Sequence, residues 1–112
     1  MTKQAPINPS LFAQQVYQLT RQIPAGKVST YKALGEALHT KAYRAIGQVL
    51  RCNPYAPEVP CHRVVASDGS LGGFRGSRTG KAIRDKIALL ENEGVTVTDN
   101  RVQNFAALAH SF

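Results

Sequence analysis

Apolar residues in "NPSLFAQQVYQLTRQIP" fall at Phe12, Val16, Leu19 and Ile23, the spacing of one helical face. Asn8 is placed to cap this helix and Pro9 to occupy its first position. "PAGK" then ends it. A second helix follows in "VSTYKALGEALH", with Ser29 or Thr30 as cap and Ala33, Leu34 and Leu38 on its apolar side. After "TKAY", the stretch "YRAIGQVLRCN" predicts a third helix. Ile46, Val49 and Leu50 face inward, Arg44 and Arg51 share another face, and Cys52 packs within the helix. Two short helices around a tight turn, the second carrying arginines, form a helix-turn-helix pattern.

Three prolines in "PYAPEVP" (Pro54, Pro57 and Pro60) exclude helix and stiffen the chain before Cys61. "HRVVASDGSLGGF" predicts a short hairpin in which Val64 and Val65 enter, Ser67-Asp68-Gly69 turns, and Ser70-Leu71 returns. "GGFRGSRTG" is a glycine-rich loop able to bring backbone close to a ligand. The last strong helix lies in "KAIRDKIALLENEG", with Ile83, Ile87 and Leu90 inward and Gly94 as its stop. The tail from Val95 reads equally as strand-turn-strand or as an irregular cover. No repeat or linker interrupts the pattern. The expected fold is one mainly α domain over 1–112, winged-helix-like, with a helix-turn-helix and a small β hairpin.

Charge changes this picture. Fourteen Lys and Arg face seven Asp and Glu in 112 residues, giving +7. A small basic domain favours polyanionic partners, nucleic acid first, although a merely basic soluble surface fits the number as well. No apolar run reaches the length of a membrane span, and "MTKQAPINPS" lacks a signal-peptide core. The expectation is a chain working without membrane contact in the cytoplasm, or in the nucleus of a eukaryote. His39, His62 and His110 show no paired spacing with Cys52 and Cys61, so neither a metal nor a cofactor is expected.

The chemistry concentrates in "VPCHRVV". A cysteine turns nucleophilic where its surroundings favour thiolate. His62 and Arg63 supply basic neighbours, and Pro60 limits wobble. The same residues fit a second reading, a small buried thiol whose basic neighbours face solvent.

Pro60-Cys61-His62-Arg63-Val64-Val65 resembles the active-site motif of the O6-alkylguanine-DNA alkyltransferases. The resemblance runs from about Phe12 to Val95. It includes "IPAGKVSTY" before the first DNA-binding helix, "YRAIGQVLRCNP" as recognition helix and asparagine-proline turn, "GGFRG" as substrate loop, and "KIALLENEG". The resemblance implies repair by direct reversal, in which an alkyl group moves once and irreversibly from guanine O6 to Cys61. It implies that Glu93 orients His62, that His62 removes the thiol proton through water, and that Asn53 braces the turn before the active-site loop. Histidine suits that task because it titrates near neutrality, and a carboxylate fixes its tautomer.

Guanine O6 is buried in the duplex, so the base must flip out, at a cost of a few kcal/mol. The resemblance makes Arg44 the finger that replaces the flipped nucleotide and Tyr31 the residue that turns the 3′ phosphate. It makes Ala45 and Gly47 the small residues that admit the helix to a minor groove ~6 Å wide. Arg51 and Lys32 are expected phosphate contacts. Tyr31, Pro57, Val64, Phe74, Arg75 and Gly76 are the expected pocket, with backbone groups of Cys61 and Val64 reading the guanine edge. The implied partner is double-stranded DNA carrying O6-alkylguanine, bound by a monomer through the minor groove.

Tyr43 and Arg75 occupy positions that are commonly small in the family. Tyr43 is expected among the DNA-binding residues, packing against the DNA backbone or altering the fit to the groove, and Arg75 is expected to narrow or charge the pocket mouth. The N-terminal ribonuclease-H-like domain of active members is expected to be absent. Short alkyltransferase-like relatives bind lesions without repair, carry tryptophan or alanine in place of the cysteine, and signal to nucleotide excision repair proteins. Retention of Cys61, His62, Asn53 and Glu93 favours transfer over such a sensor, and over a winged-helix regulator with an incidental cysteine.

Overall fold

A computed structural model describes residues 10–112. Helix α1 spans Leu11–Thr20, and its cap is Ser10, whose hydroxyl accepts the Ala13 N–H at 3.1 Å. The helix therefore starts later than the cap at Asn8 implied; Asn8 and Pro9 lie outside the described residues. Val16 and Ile23 are fully buried and Phe12 and Leu19 partly so. A second α1 face, Ala13 and Tyr17, packs on Val59, and the Tyr17 hydroxyl donates to the Val49 carbonyl at 2.9 Å. Tyrosine is only intermediate in its tendency to be buried, and Ala13 and Tyr17 lie off the stripe of large aliphatic residues, so the stripe alone does not reveal this face.

Strand β1 (Ser29–Thr30) runs directly into α2 (Tyr31–Ala37), which Thr30 caps by accepting the Ala33 N–H at 2.9 Å. Helix α3 (Tyr43–Arg51) follows a turn containing His39 at φ +57°. The two helices meet closely because Gly35 has no side chain. A Cβ there would collide with the Tyr43 ring and lie 2.8 Å from the Thr40 carbonyl. Tyr43 is thus half-buried against α2. Ile46 and Leu50 point into the core with Val16, Leu34 and Val64. Arg44, Ala45, Gln48 and Arg51 face outward. Cys52 does not pack within the helix: it is the exposed residue that ends α3.

Val64–Val65 form β2, but their partner is not Ser70-Leu71. β2 pairs in parallel with β1, Ser29 opposite Val64 and Thr30 opposite Val65. The predicted turn does form, through Gly69 N–H to Ala66 O and Ala66 N–H to Ser70 O, both 2.9 Å. Both valines are fully buried, and a strand buried on both faces needs a partner from the interior. The small antiparallel hairpin lies in the tail instead, as β3 (Val97–Thr98) and β4 (Arg101–Val102). Asp99 and Asn100 between them have φ of +52° and +59°, the backbone of a tight two-residue hairpin turn. The tail locks onto the earlier turn through Leu71 N–H to Asn100 O and Val102 N–H to Gly69 O, both 2.9 Å. A last short helix, α5 (Phe105–Leu108), sets the Phe105 ring against Gly69.

Helix α4 (Lys81–Asn92) turns Ile83 and Leu90 inward, with Ile87 partly buried. Gly94, at φ +88°, stops it. The Gly94 N–H bonds Glu91 O and the Val95 N–H bonds Leu90 O, each at 3.0 Å, the left-handed helix ending that favours glycine. That ending fixes Glu93 as the last residue of the turn. Among the described residues, no helix is long and apolar enough to cross a membrane.

Candidate active site

The proline loop is held from inside. Asn53 Nδ2 donates to Val59 O at 2.8 Å, and Asn53 Oδ1 accepts the Tyr55 N–H at 2.8 Å. The Cys61 N–H then bonds Val59 O at 2.8 Å, and residues Cys61–Arg63 make one 3₁₀ turn before β2. Cys61 touches both halves of the core and lines a cleft of about 640 Å³ between α3 and the glycine loop.

His62, 3% exposed, sits behind Cys61 with Nε2 3.1 Å from Glu93 Oε2. Burial pushes its pKa below the ordinary histidine value, and this outweighs the upward pull of Glu93. The imidazole is therefore neutral at pH 7. Burial pushes Glu93 up, but hydrogen bonds from Arg63 and His62 outweigh it and hold the carboxyl below its ordinary range. An ionised Glu93 accepts only, so the Nε2 proton points at it and Nδ1 keeps a free lone pair. That is the form of a general base.

Arg63 is the residue whose job the sequence concealed. Its guanidinium donates to both Glu93 oxygens, Nε to Oε1 at 2.9 Å, and Nη1 donates to Ile23 O at 2.7 Å. It anchors the carboxylate to the turn that follows α1 and does not line the cleft. The second concealed residue is Lys86, fully buried yet charged. Its Nζ donates to the carbonyls of Val64 at 2.9 Å, Leu71 at 2.6 Å and Gly73 at 3.2 Å. Burial pulls its pKa down to about 8, against an upward pull from Cys61, so it is still mainly an ammonium at neutral pH. It ties β2 to the glycine loop. A lysine three residues after Ile83 and four before Leu90 lies on the inward stripe, the one signal that would have found it.

Tyr31, Tyr43, Arg44, Gly47, Arg51, Phe74, Arg75 and Gly76 all line the cleft with Cys61. Burial, and then the Cys61 thiol beside it, raises the Tyr31 pKa, which keeps the phenol a proton donor. Gly72 lies beside the Tyr31 ring, where a Cβ would make ordinary contact at 3.6 Å; its φ of +68° is what favours glycine there. Gly76 makes room for the Arg51 side chain. An added Cβ on Gly47 meets nothing within 4 Å, so the outer face of α3 is open there. Ala45 and Lys32 are exposed nearby without lining the cleft, and Pro57 is exposed away from it. Val64 does not line it either, because its side chain is in the core. Of the backbone groups expected to read a guanine edge, Cys61 N–H bonds Val59 O, and Val64 O accepts from Lys86 while keeping a second lone pair.

The family model for the DNA-binding domain of 6-O-methylguanine DNA methyltransferase matches residues 11–95. The chain belongs to this family. Alkyltransferase relatives agree in sequence. A methylated-DNA–protein-cysteine methyltransferase of Sulfolobus acidocaldarius is 43% identical over 86 residues, covering 77% of this chain and 51% of that protein. A bifunctional methyltransferase/endonuclease of Picrophilus torridus is 41% identical over 88 residues, covering 78% of this chain and 28% of that protein. The chain thus spans about half or less of these relatives. Among solved structures, the O6-methylguanine-DNA methyltransferase of Pyrococcus kodakaraensis is 44% identical with a TM-score of 0.65, covering 77% of this chain and 47% of that one. The Schizosaccharomyces pombe protein Atl1, in complex with DNA containing O6-carboxymethylguanine, is 27% identical with a TM-score of 0.75. That match covers 95% of this chain and 100% of Atl1. The shared architecture is the mainly helical, helix-turn-helix DNA-binding domain of the alkyltransferases.

Proposed function

We propose that this domain removes alkyl groups from O6 of guanine in double-stranded DNA, each molecule acting once, with Cys61 as the acceptor. The observation that carries the reading is the buried, neutral His62 on Glu93, in the same 3₁₀ turn as a cysteine that lines an arginine-rimmed cleft. In this reading His62 Nδ1 takes the thiol proton through a water molecule. Sγ attacks the alkyl carbon, the bond from that carbon to O6 breaks with its electron pair staying on guanine, and guanine takes up the proton. Tyr31 donates a hydrogen bond to the site and keeps its proton, and the Asn53 clamp aims the loop. Arg44, Gly47 and Arg51 on the open face of α3, with Ala45 and Lys32 beside them, meet the minor groove and its phosphates. Arg44 enters the stack.

A second reading has one observation in its favour, the match to the whole of Atl1. Here the domain binds O6-alkylguanine without transfer and signals to nucleotide excision repair proteins. The experiment is incubation with a duplex carrying O6-methylguanine, followed by nucleoside analysis of the DNA. Transfer restores guanine in an amount equal to the protein added, and Cys61→Ala abolishes it. Tight lesion binding with no restored guanine selects the sensor.

A further inference from the structure

Among the described residues, no acidic side chain lines the cleft, while Arg44, Arg51, Arg75 and Arg78 do. All four are exposed, but Arg75 differs from the other three in its backbone. It sits on the glycine loop at φ +52°, with Gly76 at +81°, and Phe74 and Ser77 close the turn through bonds of 2.8 and 3.0 Å. The first place in such a turn suits asparagine or glycine, and strained non-glycine backbone concentrates at functional positions. The turn lays the Arg75 guanidinium 4.7 Å over the Phe74 ring, which is buried and lines the cleft.

The guanidinium already holds a carboxylate. Arg75 Nη1 donates to Asp85 Oδ2 at 3.0 Å, and Lys81 Nζ donates to the same oxygen at 2.9 Å. Arg75 is 56% exposed in this pair, and exposed ion pairs are weak. Asp85 keeps Lys81 if Arg75 leaves. A forked guanidinium fits a carboxylate well, and among the described residues Arg75 alone of the four cleft arginines is placed on one, Asp85.

Resting on the proposed transfer function, we infer that Arg75 selects O6 adducts ending in a carboxylate, exchanging Asp85 for the carboxylate of the lesion. The acceptor step is unchanged: the Sγ–CH₂ bond forms, the CH₂–O6 bond breaks, and the thiol proton goes to guanine. Cys61 becomes S-carboxymethylcysteine.

The test compares two duplexes of one sequence, with O6-carboxymethylguanine or its neutral isostere O6-carbamoylmethylguanine. Single-turnover transfer and equilibrium binding are both measured. The wild type should prefer the acid by roughly tenfold, about one charge-assisted hydrogen bond. Arg75→Gln should bring the ratio near one. Asp85→Asn, which removes the competing carboxylate, should raise it. The opposite signs keep the test informative if one variant fails to fold. A wild-type ratio near one in both measurements, or a ratio unmoved by both variants, overturns the role of Arg75 while leaving transfer intact. Absence of transfer from either duplex overturns the proposed function instead, and the binding ratio then decides Arg75 alone.

Discussion

Glu93→Gln perturbs the site at the point where three hydrogen bonds converge. Carboxylate Oε2 accepts from His62 Nε2 at 3.1 Å and from Arg63 Nη2, and Oε1 accepts from Arg63 Nε at 2.9 Å. The substituted amide has one acceptor oxygen and one N–H₂ donor. An amide oxygen in the Oε2 place keeps His62 Nε2 and Arg63 Nη2 but sets the N–H₂ against Arg63 Nε; the reverse orientation sets the N–H₂ against Nη2 and Nε2 together. In either orientation one guanidinium bond is lost, and so is the negative charge. The imidazole still fits, but nothing anionic now stabilises the imidazolium that forms when Nδ1 takes the thiol proton. A histidine without its carboxylate loses its general-base contribution, typically 10²–10⁴-fold.

Stability falls as well. Arg63 and Glu93 side chains are 17% and 18% exposed. Breaking a fully buried pair costs about 3–5 kcal/mol, and partial exposure reduces this to about 2 kcal/mol. For a domain of this size that lowers Tm by about 10 °C. The assay is single-turnover transfer from an O6-methylguanine duplex at a temperature where both proteins are folded, with lesion binding measured in parallel. The rate should drop by at least 10²-fold with affinity within a few fold. A rate within threefold of wild type at matched folding would refute the base assignment.

Lys86→Met leaves the carbonyls of Val64, Leu71 and Gly73 without their donor. Relief of burying the ammonium offsets part of the loss, so denaturant unfolding should show a net cost of about 1–2 kcal/mol. Amide exchange should quicken in residues 71–77 and not in α1. The transfer rate should hold from pH 8 down to below pH 6.5, the ordinary histidine value from which burial lowers His62. It should then fall as the ring gains a proton; an inflection above 6.5 contradicts a buried neutral base. Stability has the same sign: the unfolded chain takes up the His62 proton first, so this contribution is whole above 6.5 and declines as pH falls through the lowered value. Gly35→Ala should destabilise by about 1–3 kcal/mol in thermal melts, because its Cβ meets the Tyr43 ring and the Thr40 carbonyl.

What the sequence disclosed was whatever rests on local pattern. Helices α1 to α4 follow from apolar spacing, and Gly94 from the end of a stripe. The motif around Cys61 located the nucleophile candidate. What it withheld depends on distant partners. Arg63 looked like a charge beside a thiol, but its partner Glu93 lies thirty residues on. Lys86 looked like a helix-surface lysine until three carbonyls from two other segments closed around it. Val64 and Val65 carried a strand signal, yet nothing local names Ser29 and Thr30 as the parallel partner. Val64 and Pro57 were placed in the pocket by motif position, whereas packing sends one into the core and leaves the other on the surface.

The acceptor itself is open to direct reading. Cleavage after Arg51 and Arg63 yields one peptide, Cys52–Arg63, that carries both cysteines. Cys52 is the more exposed and would take a non-specific alkylating agent first. After incubation with the O6-methylguanine duplex, fragmentation of this peptide should place the single added methyl on Cys61, with Cys52 unmodified. A methyl on Cys52, or an unmodified peptide after the lesion has been bound, would contradict transfer to Cys61.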